Sequence, residues 1–140
     1  MNVNVLTVIE LARLTKVEPH VIRYYTKIGI LAPDKNQDNG YKLYKMNDAN
    51  KVSFTRKAKS LGYSLKEIKL ILSHTIQGDS PCPLVREIIY QRLNETKIKI
   101  KELQALQKRM KKAIKLWEDI PNQMPNGATI CHLIEGFIEE

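Results

Sequence analysis

Short apolar segments with helical spacing and clear start signals make up the first part of the chain. Thr7 and Glu10, three residues apart, form a capping box that predicts a helix over about 8–15. Pro19 suits the first turn of a second helix, which Gly29 would end. The two short helices are then separated by a turn of three residues. This is the layout of a helix-turn-helix, whose second helix enters the DNA major groove, although a generic helical hairpin has the same layout.

A polar loop ending in Asn39-Gly40 lies between the stretches Ile30–Ala32 and Tyr41–Tyr44 and predicts a small β-hairpin. Because a two-stranded hairpin is not stable alone, we expect it to pack on the helices. It would then serve as a wing against a phosphate backbone. Two further helices are predicted over about 48–61 and 65–75, the second of which opens with another capping box.

A long helix is predicted from Pro81, because no helix breaker follows Pro83 until Pro121. Ser80 and Pro81 supply a cap and a first-turn proline. At about 1.5 Å per residue the helix would be about 60 Å long, too long to be buried within one chain of this size. Its apolar residues alternate steps of four and three, which predicts a coiled-coil homodimer. The predicted dimerisation residues are Ile89, Leu93, Ile100, Leu103, Met110, Ile114 and Trp117, with Thr96 and Gln107 as polar interruptions.

The excess of basic over acidic residues indicates a protein that binds polyanions. The 140 residues hold 23 Lys+Arg and 15 Asp+Glu, a formal net charge of +8. This excess favours nucleic acid, ahead of an anionic membrane surface, as the partner. No apolar run reaches the roughly 18 to 20 residues of a membrane-spanning helix, and the N-terminus lacks a signal-peptide pattern. We therefore expect a cytoplasmic protein with no membrane association.

The two cysteines, Cys82 and Cys131, are too few for a disulfide framework or for a four-cysteine metal site in one chain. An adjacent Cys and His cannot easily form a nucleophile–base pair, and no other cluster of His, Asp or Glu supports catalysis. The chain is therefore predicted not to be an enzyme.

Many residues of a single known pattern occur together in the first 75 positions. They are Thr7–Ala12, Val17, Ile22-Arg23-Tyr24-Tyr25, Ile28–Leu31, Pro33, Asn39-Gly40-Tyr41, Leu43-Tyr44, Leu61–Leu65 and Glu67-Ile68. In this combination the chain resembles the MerR family of bacterial transcription regulators. It departs from the family pattern at Thr26, where an acidic residue is usual, at Lys42, where Arg is commoner, and at Glu18, where a small hydroxyl residue often caps the helix.

The resemblance implies a mainly α fold with a winged helix-turn-helix head, a small β-hairpin wing, a long antiparallel coiled-coil dimerisation helix and a short C-terminal effector-binding segment. The corresponding segments are 1–78, 79–120 and 121–140. It also implies a dimer on a pseudo-palindromic operator in double-stranded promoter DNA. RNA polymerase would be affected indirectly, through a distortion of that DNA.

Side-chain chemistry and the resemblance together predict the DNA-contacting residues. Arg23 offers a fork of donors to a phosphate or a guanine, and Tyr24 or Tyr25 can hydrogen-bond a phosphate while its ring packs. Core packing is the alternative for Tyr25, and simple exposure is the alternative for His20. The predicted DNA-binding residues are Thr7, Arg13, His20, Arg23, Tyr24, Tyr25, Tyr41, Lys42, Tyr44 and Arg56.

Cys82 lies in the first turn of the predicted long helix, where unpaired amides favour a thiolate, and Cys131 has His132 beside it. Similarity to soft-metal sensors of the family implies that Cys82 of one chain and Cys131 of the other bind a thiophilic metal ion, Zn, Cd, Pb, Hg or Cu. The first cysteine of the family's metal loop is absent. The third ligand is His132, Asp119, His74, a water or nothing, and we favour His132. Thiol redox sensing, another effector, an architectural role without effector and two small buried hydrophobes are the alternatives.

Overall fold

The computed structural model describes residues 5 to 138, which are largely helical. The elements in chain order are β1 (Val5–Leu6), α1 (Val8–Thr15), α2 (Pro19–Lys27), β2 (Asp34–Lys35), β3 (Lys42–Lys45), α3 (Met46–Ser60), α4 (Leu65–Ile76), α5 (Cys82–Trp117) and α6 (His132–Glu135). Packing divides the chain into two compact units within α5, the first ending at Arg92 and the second beginning at Leu93. The described part of the chain contains no helix that is long and apolar enough to cross a membrane.

Both predicted capping boxes are confirmed. The amide of Thr7 donates to Glu10 Oε1 at 2.9 Å, and the amide of Glu10 donates to Thr7 Oγ1 at 3.2 Å. Ser64 and Glu67 make the same reciprocal pair at 2.8 and 3.1 Å. Each pair satisfies amides that the first turn of a helix leaves unpaired, which is why α1 and α4 begin where the sequence predicts.

The helix-turn-helix is also confirmed. α1 and α2 are joined by residues 16–18, and Lys16 adopts a left-handed conformation with φ of 59° as the C-cap of α1. From α3, Arg56 Nη1 donates to the Lys16 carbonyl oxygen at 3.3 Å. Gly29 follows α2 with φ of 88°, where a residue without a side chain is least strained.

The wing differs from the predicted hairpin in its first strand. The sequence places this strand at Ile30–Ala32, but β2 is Asp34–Lys35, which pairs antiparallel with β3 in the register Asp34↔Leu43. Ile30 and Leu31 are instead buried in the core, because their apolar side chains pack there while the polar residues after them supply the exposed strand.

The sheet of the wing also differs from the prediction, whereas its loop is the expected polar one. The amide of Asn36 donates to the Tyr41 carbonyl at 2.7 Å and closes this loop. Gly40 within it has φ of 72°. A short third strand, β1, was not predicted and pairs with the other side of β3, which gives the sheet order β1-β3-β2. The wing strand β3 is therefore central rather than an edge.

The core of the first unit lies between the helices and β3. Its fully buried side chains are Leu11, Ile22, Leu31, Tyr44, Val52, Thr55, Ile68 and Ile71. The first turns of α5 belong to this unit, because the Tyr63 hydroxyl donates to the Val85 carbonyl at 2.7 Å. Arg92 Nη2 lies 2.6 Å from Glu67 Oε1, so Arg92 forms an ion pair with the glutamate of the α4 capping box.

The second unit consists of α5 from Leu93 onward and the tail that carries α6. Trp117 Nε1 donates to the Leu133 carbonyl at 3.0 Å, and Ala113 is buried. Along the rest of α5 large apolar side chains of the predicted seam are exposed, among them Ile100 at 50%, Leu103 at 63% and Met110 at 55%.

Stability should fall at acidic pH through Glu67. Burial by itself would raise the pKa of Glu67, but hydrogen bonds from the Ser64 amide and from Arg92 outweigh it and hold the pKa below its ordinary value. A carboxyl group whose pKa is lowered in the folded state stabilises the protein above its unfolded pKa, and this stability is lost as the pH falls through the folded pKa. Between about pH 5 and pH 3 we expect the wild type to lose about 1 kcal/mol of unfolding free energy more than Glu67→Gln.

Urea unfolding across this pH range measures the difference. The comparison variant is Glu10→Gln: Glu10 has the same capping-box role and a lowered pKa caused first by hydrogen bonds from Thr7, so the difference between the two variants reports the ion pair of Glu67 with Arg92. Arg92→Gln should reproduce part of the Glu67→Gln effect. Parallel pH profiles for the wild type and Glu67→Gln would contradict this account of the ion pair.

Candidate nucleic-acid interface and effector residues

A cleft in the first unit brings residues of α1, α2 and the wing together. Its volume is about 570 Å³, and it is lined by Thr7, Val8, Ile9, Arg23, Gly40, Tyr41 and Lys42. Four of the predicted DNA-binding residues thus border one cleft, with Arg23 on α2 and Lys42 on β3. The cleft presents two cations and an exposed phenol, groups that hydrogen-bond phosphate oxygens.

Other predicted DNA-binding residues lie on the surface of the same unit. Arg13, His20 and Tyr24 are exposed on α1 and α2. Residues 1–80 hold 13 basic and 7 acidic side chains, a formal difference of +6, so the part of the chain that carries this surface is basic. Arg56 is exposed as well, and its hydrogen bond to the Lys16 carbonyl supports the turn of the helix-turn-helix.

Two of the predicted tyrosines are core residues. Tyr25 is buried, and burial raises the pKa of its phenol. Tyr44 is 0% exposed, and its hydroxyl lies 2.7 Å from Thr26 Oγ1. The expectation that Tyr44 contacts DNA is corrected: the pleat of β3 turns this side chain inward, toward α2. For Tyr25, core packing is the alternative that the structure favours.

Several residues of the cleft were not predicted from the sequence. Val8 and Ile9 line it from the first turn of α1, and Ile9 is half exposed. Ile9 is an apolar residue that lies outside the buried face of an amphipathic helix. This position could have marked it as a cleft residue from the sequence alone. The pairing of Thr26 with Tyr44 had no signal, because residues 18 positions apart are brought together only by the tertiary fold.

The two cysteines lie in different units. Cys82 is the first residue of α5 and is exposed, and its amide donates to Ser80 Oγ at 3.3 Å. The Pro81 carbonyl accepts from the Val85 amide at 2.9 Å, so Pro81 rather than Ser80 precedes the first turn of the helix. Cys131 is half-buried at the N-cap position of α6. Across residues 5–138 no three His, Cys, Asp or Glu side chains come together as a metal site within the chain.

The imidazole of His132 makes a hydrogen bond within the tail. Its Nε2 lies 3.1 Å from the Pro121 carbonyl oxygen. A carbonyl oxygen only accepts, so Nε2 is the donor in this contact, and Nδ1 is the ring nitrogen left to bind a metal when the ring is neutral. Metal-binding histidines commonly donate their other ring N–H in this way. Two thiols and this ring nitrogen are soft or borderline donors and fit a thiophilic ion.

Known proteins match this chain over most of its length. Residues 6–75 match the family described as "MerR HTH family regulatory protein", and residues 49–113 match "MerR, DNA binding". The transcriptional regulator ZntR of Escherichia coli strain K12 is 34% identical over 104 residues, 74% of each chain. The mercuric resistance operon regulatory protein of Bacillus cereus is 22% identical over 133 residues, 94% of this chain and 96% of that protein.

Among solved structures, the transcription regulator PbrR691 of Ralstonia metallidurans CH34 in complex with Lead(II) has a TM-score of 0.73. The two chains are 17% identical, and the match covers 95% of this chain and 99% of the other. This likeness confirms the fold, with its helical head, small sheet and long helix. The match of residues 6–75 and the relationship to ZntR show more than the fold: the chain belongs to the MerR HTH family, which consists of DNA-binding transcription regulators and not of enzymes.

Proposed function

We propose that this protein acts in the cytoplasm as a homodimeric regulator that binds a pseudo-palindromic operator in double-stranded promoter DNA and responds to a thiophilic metal ion. The main support for a DNA-binding surface is the cleft that Arg23 and Lys42 line together. Arg13, His20, Tyr24 and Tyr41 extend it with exposed side chains. Segments 1–78, 79–120 and 121–140 would bind DNA, dimerise and bind the effector, respectively.

The exposed apolar seam supports the dimer. A row of large apolar side chains on one helix is at odds with a soluble monomer, because exposed apolar surface of this extent usually marks an interface. Its four-and-three spacing suits a second copy of the same helix. An antiparallel pairing, as the resemblance implies, would bring the start of one α5 near the end of the other. Cys82 of one chain and Cys131 with His132 of its partner would then complete one site, twice per dimer.

The chemistry of the donors supports the metal response. Thiolates at Cys82 and Cys131 and the Nδ1 lone pair of His132 would hold the ion, which would supply a cross-link between the two chains. Two similar proteins are named for mercuric resistance or solved with lead bound, which favours a soft ion over a hard one. Bound ion would shift the two heads, and the distorted promoter would become accessible to RNA polymerase.

Metal titration tests the effector. Native mass spectrometry of the reduced dimer against Zn(II), Cd(II), Pb(II), Hg(II), Cu(I) and Co(II) should show two equivalents of one ion per dimer. Cys82→Ser and Cys131→Ser should each weaken its apparent affinity at least about tenfold, because each removes a ligand. His20→Gln is the matched control, since it removes an exposed imidazole that is not among the candidate ligands.

Footprinting of promoter DNA separates the regulatory response from metal storage. Hydroxyl-radical cleavage at the operator centre should change when the identified ion is added to the wild type and stay unchanged in Cys82→Ser. If no ion binds and mild oxidant instead produces a reversible inter-chain disulfide, the metal response is wrong and redox sensing replaces it. A footprint that no effector changes would leave an architectural DNA-binding role.

A further inference from the structure

A hydrogen-bonded chain links the wing to the recognition helix. Thr26 lies in the last turn of α2, and its Oγ1 lies 2.8 Å from the Ile22 carbonyl oxygen and 2.7 Å from the Tyr44 hydroxyl. Tyr44 lies on β3 and is fully buried. The contact therefore joins two of the elements that border the cleft.

The direction of this chain follows from counting protons. The Thr26 hydroxyl has a single hydrogen, and the Ile22 carbonyl can only accept, so that hydrogen is used within α2. The Tyr44 hydroxyl must then donate to Thr26 Oγ1. A buried phenol whose hydroxyl has no acceptor is unfavourable, so the wing is held at the position where Tyr44 reaches Thr26.

The same two elements carry the cations of the cleft. Arg23 precedes Thr26 by three residues, which places the two side chains on neighbouring positions of one helix face. Lys42 precedes Tyr44 by two residues, so the two side chains share one face of β3. The buried bond thus joins the same helix and strand that carry Arg23 and Lys42.

We propose that Thr26 and Tyr44 are positioning residues that set the spacing of wing and recognition helix, so that Lys42 and Arg23 engage one DNA duplex together. The inference rests on the proposed DNA surface and adds to it two residues that do not touch DNA. Without the bond, α2 still binds DNA, but the Lys42 contact with phosphate is lost.

Salt dependence of binding is the test, because it counts phosphate contacts. The probe is a fluorescent duplex selected in vitro from a random-sequence pool by the wild-type dimer. Its affinity is measured by anisotropy between 50 and 200 mM salt. Lys42→Gln should reduce the slope of log K against log salt by about 1.8, since each phosphate contributes about 0.9 and a dimer has two wings. Tyr44→Phe should reduce the slope by the same amount, and Lys42→Gln should then cause no further reduction.

Three further variants exclude a general loss of stability. Tyr63→Phe removes another buried phenol donor in the same unit, whose partner is the Val85 carbonyl and not the wing, so its slope should equal that of the wild type. Thr26→Val removes the acceptor and should match Tyr44→Phe, whereas Thr26→Ser keeps the hydroxyl and should retain the wild-type slope. Thermal unfolding of each variant confirms that it is folded.

The outcomes separate this inference from the proposed function. If Lys42→Gln lowers the slope equally in the wild type and in Tyr44→Phe, the wing contact does not depend on the bond and the inference is overturned, while the DNA surface stands. The inference is likewise overturned if Tyr63→Phe changes the slope as much as Tyr44→Phe. If Lys42→Gln leaves the wild-type slope unchanged, the proposed DNA surface is wrong and the inference falls with it.

Discussion

Replacing Leu103 by Asp is expected to convert the dimer into a monomer at micromolar concentration. Leu103 is 63% exposed on α5 in the single chain and lies in the predicted seam. A dimer would bury two copies of it, each contributing about 1.5–3 kcal/mol, so the variant loses about 3–6 kcal/mol of association free energy. The dimer dissociation constant should rise about 10²- to 10⁴-fold, and burying each new carboxylate in the seam would add to the loss.

Sedimentation equilibrium over a concentration series measures this change. Asn94→Asp is the matched control, because it introduces the same single charge on an exposed position of α5 outside the seam. The control should remain dimeric and bind DNA as the wild type does. The Leu103→Asp variant should bind a duplex with two half-sites more weakly than the wild type does, with an affinity close to that of a monomer for one half-site. A wild type that is monomeric at micromolar concentration would contradict the dimer itself.

Replacing Arg23 by Ala should produce the other large loss, in DNA affinity. Arg23 is exposed on α2 and lines the cleft that the wing borders. One specific arginine contact is worth about 1–3 kcal/mol, and a dimer has two, so the complex should lose about 2–6 kcal/mol. This corresponds to an affinity about 30-fold to 10⁴-fold weaker.

The type of contact is read from two further measurements. Arg23→Lys keeps the charge but not the planar fork of donors, so affinity should return only in part if the contact is bidentate. A reduced salt slope in Arg23→Ala indicates a phosphate, and an unchanged slope with lost sequence preference indicates a base. Arg86→Ala, which removes an exposed arginine on α5 outside the cleft, is the matched control and should leave affinity unchanged. Equal losses in both variants would show that only net charge matters.

The local elements of this protein could be predicted from its sequence because their causes are local. The Thr7–Glu10 and Ser64–Glu67 boxes each involve residues three positions apart, so the starts of α1 and α4 follow from short strings. The same holds for Pro19 at the start of α2 and for the uninterrupted helix from Cys82 to Trp117. The family resemblance rested on those strings as well, and it was confirmed.

Only the tertiary structure decided how the wing and the cleft are built. The sequence predicted a strand at Ile30–Ala32 and a DNA contact for Tyr44. In the structure Ile30, Leu31 and Tyr44 are buried in the core instead, because their large side chains pack there. Strand register and facing depend on long-range pairing, and a shift by one residue exchanges the buried and exposed faces. Thus the sequence by itself determined the main helices, the two capping boxes and the family. Packing between distant residues decided which side chains border the cleft and which ones hold it in shape.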